Sequence, residues 1–328
     1  MASDSDTMHG GGAVWMPNWL GDFLIALSVV TRKAAATGGG AVTMIVPAPL
    51  MPLCGLVSAV PALPFDRSSI GAVLRSIAEV RKRRFARAQV LPHSFSSALF
   101  AALCGIPRRR GIRRNNRQWL LTDVLARSTR TSKLHITREY AEVLTTPWAP
   151  PESWEGVRIA GDDRGAGAIV FCPGAHYGPA KRWPYFVDLA RMLPGRIVLL
   201  GTKNEAPDAT AVAAADPSRI TDLCGATSVV EAARIIAAAT AVVANDSGLM
   251  HLAGFLGTPV VGIFGSTRPS WTSPLGRNSR IVHQEMPCSP CFERTCRHGH
   301  YECLRRISAD MVVRALDGVS AAVGKQTL

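Results

Sequence analysis

The sequence predicts an α/β protein built from two successive doubly wound, parallel-sheet domains. Three observations point there. The 328 residues exceed one compact core and suit two domains of about 150 residues each. Short apolar runs alternate with segments of helical period along the whole chain. The alternation stops in TTPWAPPESWEGVRIAGDDRGAG, residues 145–167, rich in Pro, Gly and acids, and then restarts. An apolar content of 47% with 19% charged residues supports folded cores and excludes a largely disordered chain.

Taken in order, residues 1–12 read as a flexible tail, 13–150 as the first domain, 151–166 as linker and 167–328 as the second domain. The tail has two acids and no basic residue, so it lacks the charged start of an export signal, and a cytoplasmic protein is expected. GAVWMP reads as a strand, followed by a helix, WLGDFLIALSVVTRKAA, with Leu20, Leu24, Leu27 and Val30 at helical spacing. AVTMIVPA and RAQVLPH read as further strands, and SFSSALFAALCG as a helix opened by a serine cap and closed by glycine. Residues 38–65 carry no charge, but Pro47, Pro49, Pro52, Pro61 and Pro64 would break a membrane-spanning helix, leaving strand, turn and short helix. In the second domain GAIVFCPG, RIVLLG, AVVAND and PVVGIFG read as strands, with helices near 183–193, 205–215, 228–239 and 247–256. Gly257-Thr258-Pro259 splits the uncharged stretch Ser247 to Thr267 into helix and strand. Ligands of such sheets bind at the carboxyl ends of the strands.

Lys plus Arg number 37 against 24 acids, a formal charge of +13 that favours an anionic partner. The excess bunches at RKRRFAR, 81–87, and PRRRGIRRNNR, 107–117. The first run reads equally well as a solvated helix face.

Four strand-to-helix turns could carry chemistry. In PNWLGDF, Asp22 either complements a helix dipole or serves as a general base facing the cleft. In FCPGAHYGPAKRWPYF, Gly174, Lys181, Arg182 and a helix beginning near Trp183-Pro184 could hold a diphosphate. Glu205 follows a strand by a few residues, where an acid takes ribose hydroxyls or simply starts a helix. Asn245, Asp246, Ser247, Gly248 and His251 crowd one helix start; they are cap and core residues, or a phosphate cradle.

Standard nucleotide fingerprints are absent. No G-x-G-x-x-G follows a strand, GVSAAVGKQ fails as a P-loop, and there is no G-x-S-x-G. Cys54, Cys104, Cys172 and Cys224 sit singly in apolar contexts as inert thiols. Cys288, Cys291, Cys296 and Cys303 form C-x2-C-x4-C-x6-C; in a cytosolic chain this reads as a structural thiolate metal site with zinc the default ion.

PNWLGDFLIAL, VLPHSFSSALFAALCGIPRRRGIR, FCPGAHYGPAKRWP, NDSGLMHLAGFLGTPVVGIFG and CSPCFERTCRHGHYECL together resemble glycosyltransferase family 9, the lipopolysaccharide heptosyltransferases, and most of all its heptosyltransferase II branch. The resemblance spans residues 13–316 in order and spacing. It implies a GT-B fold: two Rossmann-like domains with an interdomain cleft, the first binding the acceptor and the second the nucleotide sugar. It further implies inverting transfer from ADP-L-glycero-D-manno-heptose to the lipopolysaccharide inner core, with no cofactor needed for catalysis. Asp22 matches the family's proposed base and Lys181 its diphosphate-contacting lysine, while Asp246, Ser247, Gly248 and His251 match its donor loop, with Glu205 near its ribose acid. Asn18, Arg109, Arg110 and Arg113 are then the expected acceptor-binding residues. The expected partners are ADP-heptose and the acceptor, with peripheral contact at the cytoplasmic face of the inner membrane, no nucleic acid and a monomeric state. Two alternatives stand beside this: another family 9 transferase with a different donor or acceptor sugar, or a basic nucleic-acid-binding protein. The second lacks interleaved aromatics in its basic strip.

Overall fold

The computed structural model describes residues 11–38, 42–126 and 134–324, and the chain divides into two compact units. The first comprises residues 1–132 with 137–148, the second 133–136 with 149–328. The first ten residues of the expected tail lie outside the described residues, and strand structure already begins at Gly12.

The first unit runs β1 (Gly12–Trp15), α1 (Leu20–Ala36), β2 (Val42–Pro47), α2 (Met51–Val57), β3 (Ala62–Phe65), α3 (Ile70–Lys82), β4 (Arg87–Val90), α4 (Phe95–Leu103), β5 (Arg108–Ile112), β6 (Asp123–Leu125) and α5 (Ile136–Leu144). Its strands lie in the order β3-β2-β1-β4-β5-β6, all parallel. The second unit runs β7 (Ile169–Cys172), α6 (Phe186–Met192), β8 (Ile197–Leu199), α7 (Ala206–Ala213), β9 (Ile220–Asp222), α8 (Val229–Ala238), β10 (Ala241–Asn245), α9 (Gly248–Leu256), β11 (Val260–Phe264), α10 (Pro269–Thr272), β12 (Ser279–His283), α11 (Glu302–Arg305) and α12 (Ala309–Gly324). Its sheet, β12-β11-β10-β7-β8-β9, repeats the first order and is also wholly parallel. Each unit is the expected α/β, doubly wound domain, so the chain carries the Rossmann-like pair of the GT-B class. Strand order reverses beside β1 and β4 in one unit and beside β7 and β10 in the other, which is where such sheets take ligands.

Local sequence accounts for the elements. β10 and β11, AVVAN and VVGIF, are buried at every position, as β-branched central strands covered on both faces should be. α9 stops because Gly257 takes the left-handed conformation, φ 81°, at its C-cap, and Pro259 follows. Ser69, Ser94 and Ser228 cap α3, α4 and α8 through their hydroxyls. Separate core clusters form in the two units. One gathers Trp15, Phe65, Ile77 and Val90 in the first unit; the other gathers Phe171, Trp183, Phe186 and Leu304 in the second.

Four elements differ from the sequence reading. RRRGI, within the second basic run and given no element from the sequence, is strand β5, paired along both edges with β4 and β6. β9 and β12 were not legible because three- and five-residue strands at sheet margins carry little periodic signal. The chain after Lys181 forms a helix only from Phe186; the residues before it make a 3-10 turn, Pro179–Lys181, and Trp183 is core. Among the described residues no helix is long and apolar enough to cross a membrane.

Candidate active site

In the second unit the loops after β7 and β10 are tied together by Asn245, the last residue of β10. Its amide donates to the Pro173 carbonyl at 2.6 Å, and its side-chain oxygen accepts from the Trp183 backbone N–H at 3.1 Å. Both polar atoms of a side chain with no solvent exposure are thereby satisfied. Pro173 leads to Gly174, where an added Cβ would stand 2.5 Å from the side-chain carbons of Glu205, so only glycine allows the loop and the acid to pack this closely.

The next residues meet around Asp246. Lys181 Nζ lies 2.5 Å from Asp246 Oδ2, which also accepts from the Thr267 hydroxyl at 2.5 Å, while His251 Nε2 is 3.7 Å from the other carboxylate oxygen. Burial alone would raise this carboxyl; the Lys181 charge and His251 overrule it and hold Asp246 well below the usual carboxylate range. Around this compensated pair, polar groups are left open. Ser247 precedes α9 without capping it, and its hydroxyl, the Nδ1 of His251 and the hydroxyl of Ser266 are buried without a hydrogen-bond partner. The amides of the first turn of α9, beginning at Gly248, lack a side-chain cap as well. An anion with several acceptor oxygens would satisfy such a set.

Not every predicted donor residue faces this group. Arg182 pairs with Asp208 of α7 at 3.3 Å. Glu205 uses Oε2 to accept from the backbone N–H and hydroxyl of Thr202, at 2.8 and 2.9 Å, as part of a capping box. The plainer helix-start reading of Glu205 therefore describes the structure in hand, although its packing against Gly174 keeps it at the end of the same strands.

The loop carrying Lys181 is held from outside by the cysteine segment, which sequence reasoning treated as separate. The Tyr177 hydroxyl donates to the Phe292 carbonyl at 2.5 Å, the Ala180 N–H to the Arg294 carbonyl at 3.0 Å, and the Phe292 N–H to the Ser266 carbonyl at 2.8 Å. Lys181 Nζ and the Arg294 guanidinium lie 4.8 and 5.3 Å from the Tyr177 ring centre, both in cation–π range. Gly178 has φ 143°, and a Cβ there would meet the Arg294 carbonyl at 2.6 Å. The four cysteines of the segment are free thiols. Cys303 is pushed up to about 11, first by burial and then by the neighbouring Cys291, Cys288 and Cys296. Burial would raise Cys296, but the backbone N–H groups of residues 298–301 together outweigh it and lower the thiol. The sulfurs are neighbours, yet among the described residues no three His, Cys, Asp or Glu side chains are arranged to hold a metal ion, so the zinc site expected from spacing is not preformed.

In the first unit the corresponding strand ends present Asp22, Asn18, His93 and Arg113. Asp22 stands half-buried in the first turn of α1, Asn18 is exposed just before it, and Arg113 is exposed just past β5. Arg109 and Arg110 do not join them, a correction that follows from strand direction. Both lie within β5, below its carboxyl end. Arg109 donates to the carbonyls of Leu120 and Ile106 at 2.6 and 2.5 Å, and Arg110 pairs with Asp123 at 2.5 Å. The groups that do stand at the strand ends went unread in the sequence. Arg114 donates to His93 Nδ1 at 3.0 Å; because arginine can only donate, Nδ1 accepts and the Nε2 proton goes to Glu139 of α5. Arg117, fully buried, donates to the carbonyls of Ile112 and Pro92, and burial lowers it to about 10 against the pull of Glu139. Tyr140 is held well above its ordinary value by burial and then by the charges of Asp22 and Glu139, which places both acids near one phenol. A histidine in VLPHS was the one available signal; its partner lies 46 residues on, in a helix the periodicity did not reveal.

Comparison with known proteins fits this geometry. The lipopolysaccharide heptosyltransferase 2 of Escherichia coli K12 is 29% identical over 335 residues, covering 92% of this chain and 96% of that protein. The corresponding protein of Salmonella typhimurium is 28% identical, with 94% and 98% covered. The solved structure of E. coli ADP-heptose LPS heptosyltransferase II superimposes with a TM-score of 0.80 at 27% identity, over 96% of this chain and 99% of that one. The sequence model of glycosyltransferase family 9 (heptosyltransferase) matches residues 73–302, and with that span the chain belongs to this family of enzymes.

Proposed function

We propose that the chain moves heptose from ADP-L-glycero-D-manno-heptose onto the inner core of lipopolysaccharide, inverting the anomeric centre, in the manner of heptosyltransferase II. Lipopolysaccharide heptosyltransferase is the activity that the relatives' names carry. The observation that carries the reading to this chain is the set of open polar groups at the β7/β10 strand ends: Ser247, His251 and Ser266 around Lys181, beside the uncapped start of α9. A buried carboxylate would ordinarily repel a diphosphate. Here Asp246 is already neutralised by Lys181 and holds that lysine extended, so an arriving diphosphate shares a cation that is in place.

In the proposed step an acceptor hydroxyl attacks C1 of the heptose as the bond from C1 to the diphosphate oxygen breaks. Asp22 takes the hydroxyl proton, and Lys181 with the α9 amides stabilises the departing ADP. Glu205 and Gly174 would meet the ribose end of the donor; Asn18 and Arg113, with Arg114 and His93 added by the structure, would meet the acidic acceptor. No cofactor enters this chemistry, and the enzyme would act as a monomer without nucleic acid. The cysteine segment would play a structural part, and zinc would bind there only by drawing Cys288, Cys291 and Cys296 onto Cys303; metal analysis of protein purified without chelator, expected at one ion per chain, would drop the metal if it found none.

The deciding assay offers ADP-heptose and competing nucleotide sugars to the enzyme with heptosylated and unheptosylated inner-core acceptors. Transfer is expected from ADP-heptose to the heptosylated acceptor. A preference for another sugar or acceptor would move the assignment to another branch of family 9.

A further inference from the structure

We propose that the outer face of α3, together with the basic run that follows it, is the surface on which this protein lies against an anionic lipid bilayer. The proposal rests on the reading that the acceptor is a membrane-borne lipopolysaccharide precursor, and it adds the place where the chain meets that membrane.

The face is built the wrong way round for water. α3 buries Ala72, Ser76, Ile77 and Val80 against its sheet, and a surface helix normally sets polar residues opposite. Here Ile70, Leu74 and Ala78, at steps of four and so on one line, are exposed instead, Ile70 to 83% and Leu74 to 61%. The chain then turns at once into RKRRFAR, five cations in seven residues. Lys82 pairs with Glu79 at 3.0 Å, but Arg81, Arg83 and Arg84 are exposed and form no ion pair among the described residues. Arg81 also reaches α4: its Nε lies 3.8 Å from where a Cβ on Gly105 would stand, beside the half-exposed Leu103. Aliphatic side chains on one line with unpaired arginines at its end match a headgroup and acyl boundary, where the apolar atoms enter the lipid and the cations meet phosphates. A nucleic acid would ask for exposed stacking aromatics, and Phe85, the aromatic of the basic run, is buried in the core.

Sedimentation of the full chain with vesicles tests the assignment. Vesicles of phosphatidylglycerol and phosphatidylethanolamine are expected to bind the protein, less so as salt rises, and phosphatidylcholine vesicles to bind it weakly. Ile70→Ser with Leu74→Ser should lower the partition about tenfold. Arg83→Gln with Arg84→Gln should lower it by about five-fold per charge. Both variants should transfer heptose at the unaltered rate to a core oligosaccharide freed of its lipid, which shows that they fold. Variants that bind vesicles as the parent does would overturn this surface while leaving a membrane-borne acceptor standing. A parent protein that ignores anionic vesicles yet retains RNA through Arg83 and Arg84 would replace the lipid with nucleic acid. A parent that binds neither would remove the surface altogether, and its transfer to the lipid-free acceptor would show whether the enzymatic reading survives.

Discussion

The two switch points of this molecule share a topology and differ in how they treat polarity. At β7/β10 charge is compensated internally: Asp246 answers Lys181 and Thr267, Asn245 spends both its polar atoms on neighbouring loops, and what remains unpaired is two serine hydroxyls and one ring nitrogen of His251. At β1/β4 the strand ends carry Asp22, Glu139, His93 and three arginines, several of them half-buried or exposed. The difference teaches what each half of the sheet pair is for. A set of buried, open hydrogen-bonding groups around one fixed cation suits a ligand of constant shape, such as a nucleotide diphosphate. A more open group of charges, with one carboxylate among them, suits an acidic acceptor that must lose a proton.

The comparison breaks most sharply at Asp22. Asp22→Asn should leave donor binding nearly unchanged and lower kcat by about two to four orders of magnitude, the scale of general-base catalysis. Calorimetric donor titration alongside the rate measurement separates the two effects, and an unchanged kcat would take Asp22 out of the mechanism. On the other side, Lys181→Gln strips the cation from a carboxylate that is 4% exposed. Leaving such a charge unpaired costs about 3 kcal/mol in unfolding free energy. Adding Asp246→Asn should restore much of that stability without restoring donor affinity, which should stay down at least about tenfold. Recovery of affinity in the double variant would mean that Lys181 matters only as a partner for Asp246.

How much of this was legible depended on sequence distance. The β10-α9-β11 stretch announces itself because its strand, glycines, polar residues and stop lie within 24 consecutive residues, Val242 to Gly265. Local spacing also placed Asp22 and Lys181 at strand ends. What failed was whatever needs a partner in another element. His93 and Glu139 meet only once β4 and α5 are packed. The density of PRRRGIRR suggested one binding strip, but strand β5 divides it: Arg109 and Arg110 are consumed by carbonyls and Asp123 along the strand, and only Arg113 and Arg114 pass its end. Ser247 looked like a cap by residue type, yet its hydroxyl does not cap α9, and that is known only from the folded geometry.

The smallest expected effect concerns the support of the loop that carries Lys181, which the cysteine segment braces from outside. Tyr177→Phe keeps the ring that Lys181 and Arg294 approach and deletes only the hydroxyl donated to the Phe292 carbonyl. A hydrogen bond of this kind is worth about 1 kcal/mol, so the donor KM should rise roughly five-fold while kcat holds. Tyr177→Ala, losing ring and hydroxyl together, should raise KM further and lower the melting temperature, because the cysteine segment then loses its packing partner. Steady-state kinetics against donor concentration make the distinction: a fall in kcat at constant KM in the Phe variant would mean that the segment acts on the chemical step, and that the second switch point is less rigid than its hydrogen bonds imply.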